Sequence, residues 1–330
     1  MIIASPPALQ RPRPLKPGGT IGLVSPAGVA PRADIERAAT VLRERGYRVR
    51  IGDHAADTGD ADGYSYLAGT DTNRAADINR FWRDPDIDLV LCNRGGYGCA
   101  RLLHLLDFDA LHHDPKPLVG YSDITALSLA IAAKAGVVAF SGIMATAGDG
   151  FGEGTFDPFS EASFWQAVGE RGFASEYAPP VDAAPWTVHR AALQSGDTVT
   201  GAVYPVCLSL LASLVGTPYL PDLTGAILVI EDVHEELYAV DRMLVQLRHA
   251  GILKRVAAVL VGSFTDAGSP EKTAQLALGV PRLVLENTPS GVAVASGIAY
   301  GHIPRRLTLP VGAVGTADLR KSAFVFDTGT

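Results

Sequence analysis

A serine at a predicted bend between a strand and a helix is the first candidate for chemistry in this chain. The run 117–121 fits a short buried strand, and residues 123–134 have the pattern of a helix. Ser122 therefore stands where open α/β sheets place their active sites. Gly120 precedes it as in the nucleophile turn of α/β-hydrolases, but Ile124 replaces the second glycine of that turn. Two interpretations stay open, a nucleophile or a serine that caps the helix.

A hydrolytic serine needs a base within hydrogen-bond reach and a carboxylate that orients the base. Of the eight histidines, His302 lies in a turn framed by glycine and proline, and His234 closely follows two carboxylates. Those carboxylates, Glu231 and Asp232, end a predicted buried strand. An acid there enters a site, caps the following helix or faces solvent. The order Ser122, Glu231, His302 is the serine–acid–histidine order of α/β-hydrolases, so the residue types allow a triad.

The glycine-rich run 94–98 (Arg-Gly-Gly-Tyr-Gly) follows a predicted strand and precedes a short helix. Consecutive glycines let backbone N–H groups approach a ligand, which suits an oxyanion hole, a phosphate cradle or a carboxylate site. The spacing matches neither a Walker loop nor a dinucleotide fingerprint. Cys99 has no base beside it in the sequence, and the run 112–114 (His-His-Asp) lacks the second cluster that a zinc site would need.

The elements that would position these residues alternate along the first 145 residues or so. Short apolar strands are separated by helices with apolar residues at i, i+3, i+4 and i+7, as at Ile35, Ala38, Ala39 and Leu42. This alternation predicts an α/β fold with an open parallel sheet and helices on both faces, as in flavodoxin-like and Rossmann-like domains. The carboxyl-terminal part, with several short strands and one long helix near 235–250, predicts a β-rich second domain.

Three regions follow from these patterns. Residues 1–148 are predicted to form the α/β domain that carries the nucleophile. Residues 149–199, rich in glycine, proline and aromatic residues, are predicted to be a linker or lid. Residues 200–330 are predicted to form the β-rich domain that carries the acid and the base.

Composition narrows the class of protein. The net charge is −7 and no basic stripe recurs, which argues against nucleic acid as a partner. The apolar runs are strand-sized, well below the ~20 residues of a membrane span, and the amino terminus lacks the apolar core of a signal peptide. Three cysteines do not make a disulfide framework. We therefore expect a cytoplasmic protein with no membrane contact.

Taken together, the motifs resemble the LD-carboxypeptidase family of serine peptidases. This family contains the muramoyltetrapeptide carboxypeptidases and the microcin C self-immunity proteins. The resemblance runs over nearly the whole chain. It rests on residues 22–28 (Gly-Leu-Val-Ser-Pro-Ala-Gly), 66–71 (Tyr-Leu-Ala-Gly-Thr-Asp), 94–98, 120–125 (Gly-Tyr-Ser-Asp-Ile-Thr), 210–217, 231–233, 238, 241–244, 301–302 and 309–312.

The resemblance implies a role for individual residues. Ser122 matches the family's nucleophile, His302 its base and Glu231 its orienting acid. Backbone N–H groups of Gly96 (or Gly95) and Asp123 match its oxyanion hole. The family usually forms homodimers and needs no metal, so we expect a homodimer without a cofactor.

The function implied is release of a terminal D-amino acid from an L,D-peptide bond, as in murein tetrapeptide recycling. Arg94 and Tyr97 are candidate substrate contacts, Arg94 for the terminal carboxylate. Two alternatives remain. One is a peptidyl-nucleotide hydrolase of the microcin C type, in which Trp165 and Trp186 would stack on a base. The other is a protein that binds a small ligand without catalysis, with Ser122 as a helix cap.

Overall fold

The computed structural model describes residues 8–59, 63–146, 150–153, 157–191, 197–266 and 268–326. Its strands are β1 (Thr20–Val24), β2 (Arg48–Ile51), β3 (Leu89–Cys92), β4 (Leu118–Val119), β5 (Ala139–Ser141), β6 (Glu176–Tyr177), β7 (Thr187–Arg190), β8 (Thr198–Cys207), β9 (Ile227–Val233), β10 (Ala258–Thr265), β11 (Ala293–Gly301), β12 (Leu309–Val311), β13 (Ala313–Asp318) and β14 (Ala323–Val325). Its α-helices are α1 (Arg32–Glu44), α2 (Asp71–Arg83), α3 (Cys99–Leu102), α4 (Phe108–His113), α5 (Ile124–Ala130), α6 (Pro158–Val168), α7 (Leu208–Ser213), α8 (Leu237–His249) and α9 (Pro270–Asn287).

The first sheet has the order β12-β5-β4-β3-β1-β2. Strands β1 to β5 are parallel to their neighbours, in the doubly wound 2-1-3-4-5 order, and β12 adds an antiparallel edge. Side chains on a strand alternate between its faces. Ile21 and Leu23 accordingly join the core beneath α1, whereas Val24 joins the core beneath α2 and α5. The predicted open parallel sheet with helices on both faces is confirmed.

The second sheet has the order β6-β14-β13-β8-β9-β10-β11-β7. Its four central strands, β8 to β11, are parallel, and the outer strands pair antiparallel. The predicted β-rich carboxyl-terminal part is confirmed. The same region also contains α9, which the sequence analysis does not predict because Gly279 and Pro281 interrupt the helical pattern.

The segment 149–199, predicted to be a linker or lid, contributes α6 and both edge strands of the second sheet, β6 and β7. The predicted boundary between residues 148 and 149 lies outside the described residues. The boundary between residues 199 and 200 falls inside β8. Within the described ranges, no helix is both long enough and apolar enough to cross a membrane.

The two sheets are joined by a bridging segment, residues 301–308, which leaves the end of β11 in the second sheet and enters β12 in the first. Strand β12 pairs with β5 through Leu309 and Ser141 at one end and Val311 and Ala139 at the other. Directly after β12, the amide of Gly312 donates to the carbonyl of Val203 in the second sheet (2.7 Å). The chain is thus anchored to both sheets around this segment.

Candidate active site

Ser122 lies at the sharp bend between β4 and α5. Its φ angle is +63°, a left-handed conformation that a non-glycine residue seldom adopts. Such a conformation costs on the order of 1–3 kcal/mol and is found most often at functional sites. The side chain of Ser122 is half-buried, between the buried residues Tyr121 and Asp123. The bend therefore exposes one hydroxyl at the carboxyl edge of the first sheet, as a nucleophile turn does.

Glu231 and His302 are hydrogen-bonded to each other, although 71 residues separate them. Nδ1 of His302 lies 2.7 Å from Oε2 of Glu231, whose side chain is fully buried, whereas that of His302 is 18% exposed. An ionised carboxylate can only accept, so Nδ1 carries the proton and Nε2 of a neutral imidazole has the free lone pair. Burial raises the pKa of Glu231 above its ordinary value, and the hydrogen bond from His302 opposes this rise.

The imidazole also contacts the bend that carries Ser122. His302 is the second residue of the bridging segment, and its ring lies 5.0 Å, centroid to centroid, from the ring of Tyr121. On the same tyrosine ring, the guanidinium carbon of Arg306 lies 4.3 Å from the centroid. The hydroxyl of Thr265 donates to the carbonyl of His302 (3.4 Å). The ring that pairs with Glu231 is therefore held against the residue that precedes Ser122.

The two rival candidates have other partners. Both carboxylate oxygens of Asp232 accept backbone hydrogen bonds, from Val233 (2.9 Å) and from Ser209 at the start of α7 (2.8 Å). The carboxylate of Asp232 therefore binds the first turn of α7, which precedes it in the chain, and is buried. Of the three interpretations from the sequence, capping is the nearest, but the helix is not the following one. His234 is 62% exposed, and its Nδ1 lies 3.4 Å from a carboxylate oxygen of Asp266. Among the hydrogen bonds and ion pairs of the described residues, none joins Asp232 or His234 to His302.

The glycine-rich loop, residues 94–98, passes directly over Ser122. A Cβ atom on Gly95 would lie 2.9 Å from Cβ of Ser122, so only glycine fits at this close approach. Within the part of the chain that the structure describes, the amides of Gly96 and Asp123 donate no hydrogen bond. Both donors are therefore available to a ligand. Cys99, beside the loop, is fully buried, which raises its pKa well above the ordinary value and makes the thiol unreactive.

The loop also lines a cavity of about 510 Å³. Tyr66 and Tyr97 are each 50% exposed, and their ring centroids are 5.8 Å apart. Arg94 is exposed and donates to the carbonyl of Val29 (3.1 Å). Tyr66 was not predicted as a site residue, because an exposed aromatic in a loop has no distinctive sequence signal. The cavity lining comprises Gly28, Val29, Ser65, Tyr66, Arg94, Gly96 and Tyr97.

The two tryptophans that could stack on a base have partners inside the protein. Trp165 stacks on Tyr47, with ring centroids 5.0 Å apart and planes 9° apart. Trp186 is 5% exposed and packs against Phe324. Trp186 is therefore part of the hydrophobic core, and the partly buried Trp165 packs against that core. Among the described residues, no group of three or more His, Cys, Asp or Glu side chains could hold a metal ion.

Gly301→Ala is expected to disturb the hydrogen bond between Glu231 and His302. If this pair takes part in catalysis, kcat should fall by about 10–100-fold, because displacing a catalytic group by about 1 Å has effects of this size. The φ angle of Gly301 is +124°, and a Cβ atom there would lie 2.9 Å from Cβ and 3.0 Å from Oε2 of Glu231. The added methyl group would push apart the pair that Glu231 forms with His302. Steady-state kinetics on a cleaved peptide measure the effect.

Gly297→Ala is the matched control for this change. Gly297 lies in the same strand and also has a positive φ (+90°), but the nearest atom to its Cβ position is 3.8 Å away. Both variants carry the backbone cost of an alanine at positive φ, whereas only the change at Gly301 disturbs Glu231. Equal losses of kcat in the two variants would contradict the explanation.

Comparison with known proteins finds relatives along most of the chain. Residues 21–142 match the LD-carboxypeptidase N-terminal domain, and residues 200–316 match the LD-carboxypeptidase C-terminal domain. The murein tetrapeptide carboxypeptidase of Pseudomonas aeruginosa is 33% identical over 260 residues, covering 77% of this chain and 79% of the relative.

Two solved structures extend the similarity to the whole fold. The muramoyltetrapeptide carboxypeptidase of Oxalobacter formigenes is 31% identical, with a TM-score of 0.75 over 94% of this chain and 100% of that one. MccF in complex with glutamyl sulfamoyl guanosine is 25% identical, with a TM-score of 0.81 over 98% of this chain and 99% of that one. From its fold, its two matching domains and these relatives, the chain belongs to the LD-carboxypeptidase family of peptidases.

Proposed function

We propose that this protein is a serine carboxypeptidase that releases a terminal D-amino acid from an L,D-peptide bond of a murein-type tetrapeptide. The observation that carries the proposal is the buried Glu231–His302 pair, whose imidazole packs on the residue before Ser122. The strained bend at Ser122 supports it independently. A serine that only capped α5 would need neither the strain nor a histidine–carboxylate pair beside it.

In the proposed mechanism each of these residues has one role. Oγ of Ser122 attacks the carbonyl carbon of the scissile bond while Nε2 of His302 removes the hydroxyl proton. His302 then gives this proton to the nitrogen of the departing D-amino acid, and the C–N bond breaks to leave an ester on Ser122. Water, deprotonated by the same imidazole, attacks the ester carbonyl. The C–O bond then breaks, and the imidazolium returns its proton to Oγ of Ser122. Glu231 holds the Nδ1 proton and stabilises the imidazolium that forms.

The oxyanion would be bound by the amides of Gly96 and Asp123. Each donor of this kind contributes about 3–4 kcal/mol to transition-state stabilisation in known enzymes. The cavity beside the glycine-rich loop is the proposed substrate site. Within it, the guanidinium of Arg94 would bind a substrate carboxylate, and the half-exposed ring of Tyr97 would cover the peptide.

A peptidyl-nucleotide is the second candidate substrate, because MccF, with a TM-score of 0.81, was solved with glutamyl sulfamoyl guanosine. The packing of Trp165 on Tyr47 and of Trp186 on Phe324 favours the peptide, since these rings were the candidates for stacking on a base. A murein tetrapeptide and glutamyl sulfamoyl guanosine can be compared directly as substrates of the same preparation.

We expect the tetrapeptide to release its terminal D-amino acid, with an acyl group found on Ser122 by mass spectrometry when the reaction is quenched early. A tetrapeptide with an L-residue at the end is the matched control and should remain intact. The rate should not change after treatment with a chelator. Binding of the tetrapeptide with no release of an amino acid would instead indicate a ligand-binding protein, and cleavage of only the nucleotide would indicate the second candidate.

A further inference from the structure

The two proposed oxyanion donors belong to different segments of the chain. The amide of Gly96 is in the glycine-rich loop, and that of Asp123 is at the bend before α5. Oxyanion donors act only within a narrow range of distance from the developing charge. The loop must therefore be held in a fixed position relative to the bend. The hydrogen bond from the amide of Gly28 to the carbonyl of Gly95 (3.1 Å) does not do this, because it joins the loop to the segment after β1.

The side chain of Asp123 makes the direct connection. Asp123 is the N-cap residue of α5, yet its carboxylate makes no capping hydrogen bond to its own helix. Oδ2 instead accepts a hydrogen bond from the amide of Cys99 (2.8 Å), immediately after the glycine-rich loop. The residue is 2% exposed, so this hydrogen bond is protected from water. One residue thus offers its amide to the site and holds the opposite loop with its side chain.

Arg74 supports the same loop from α2. Its side chain is completely buried, and Nη1 donates to the carbonyl of Gly98 (3.1 Å) and also to the carbonyl of Pro26. Burial raises the pKa of Asp123, and the positive charge of Arg74 is among the influences that oppose this rise. Arg74 therefore ties the end of the loop to the segment before Gly28 and brings a positive charge near the buried carboxylate.

We propose that Asp123 is a positioning residue. Its carboxylate holds the amide of Cys99 and thereby sets the separation of the two oxyanion donors, and Arg74 provides a second contact that holds the loop. The inference rests on the proposed function, because it assigns Gly96 and Asp123 to an oxyanion hole. In this role the side chain of Asp123 acts as a hydrogen-bond acceptor. An uncharged acceptor of the same shape should therefore replace it.

The test compares the rates at which Asp123→Ala and Asp123→Asn are labelled by a fluorophosphonate. This probe reacts with activated serines, and its phosphoryl oxygen enters the oxyanion hole. We expect Asp123→Ala to label at Ser122 about 10–100-fold more slowly than the wild type. Asp123→Asn, whose amide oxygen can still accept from Cys99, should react at least tenfold faster than Asp123→Ala. Peptide mapping confirms the labelled residue, and thermal unfolding reports stability.

Asp77 provides the matched control. It is also a buried aspartate, and its two oxygens accept from the amides of Asp53 (3.0 Å) and His54 (2.9 Å), away from the glycine-rich loop. Asp77→Ala should lower the Tm as Asp123→Ala does but leave the labelling rate unchanged. This separates a loss of positioning from a general loss of stability.

Each other result contradicts the inference. Equal labelling of the wild type and Asp123→Ala would reject the positioning role and leave the proposed function intact. An Asp123→Asn variant as slow as Asp123→Ala would show that the charge, not the acceptor, matters. No labelling of wild-type Ser122 would reject the proposed function itself, and the inference with it.

Discussion

Ser122→Ala and His302→Ala are each expected to lower kcat by about 10⁴–10⁶-fold while the protein remains folded. The first change removes the proposed attacking oxygen, and the second removes the group proposed to take its proton. Because the two act in one step, the double variant should be little worse than either single one. Release of the terminal D-amino acid under saturating tetrapeptide measures kcat, and circular dichroism checks the fold.

Matched substitutions elsewhere control for the loss of a side chain. Ser128, on α5 directly after the bend, is buried, and its Oγ makes no hydrogen bond to a described residue. Ser128→Ala should therefore keep kcat within about threefold of the wild type. His234→Ala tests the rival histidine and should also retain activity. If either Ser122→Ala or His302→Ala stays within tenfold of the wild type, the proposed catalytic assignment is wrong.

Glu231→Gln is expected to lower kcat by about 10³–10⁴-fold, as removal of the charge behind a catalytic histidine does in other serine hydrolases. The glutamine amide can still accept from Nδ1 of His302, but it cannot stabilise the imidazolium by charge. KM should change little, because Glu231 is fully buried behind the imidazole. Glu286→Gln on the exposed face of α9, where the carboxylate pairs with Arg282, is the control.

Glu231→Gln is also expected to change how the stability of the protein depends on pH, in favour of the variant as the pH rises. Burial, opposed by the hydrogen bond from His302, leaves the folded-state pKa of Glu231 above the ordinary value of 4.5. A group whose pKa is raised on folding contributes full stability below its unfolded pKa, and this contribution is lost as the pH rises through the folded value. Glutamine does not ionise, so the Tm of the variant relative to the wild type should increase from pH 4 to pH 8. A constant Tm difference over this range would contradict the prediction.

The bend at Ser122 could be predicted from the sequence because its signals are local. A short apolar run, a serine and a helical pattern follow one another within 20 residues, and strand–helix alternation gives the parallel sheet. Local signals do not identify which strands pair when those strands are far apart in the sequence. β12 pairs with β5 about 170 residues earlier, and nothing in Leu309-Pro310-Val311 indicates that partner. Pro310 only indicates that the strand lies at an edge.

The choice between Glu231 and Asp232 shows the same limit. Adjacent residues on a strand point to opposite faces, so one of the two had to face the imidazole. The sequence does not say which face of β9 is which, because the apolar residues before them run continuously from Ala226 to Ile230. The register of β8 on β9, with Cys207 beside Glu231, settles the face in the structure. The hydrogen bond between the carboxylate of Asp123 and the amide of Cys99 has no sequence signal for a similar reason, since the two residues are 24 positions apart.

The bridging segment bears on how a substrate reaches the site. His302 lies on this segment, which is joined at one end to the second sheet, where Glu231 lies, and at the other end to the first sheet, which carries Ser122. A hinge motion that separated the two sheets would have to break the pairing of β12 with β5 and would move the imidazole of His302. Such an opening would therefore be costly. We expect a substrate to enter instead through the cavity lined by Tyr66 and Tyr97 beside residues 94–98, which leaves these contacts in place.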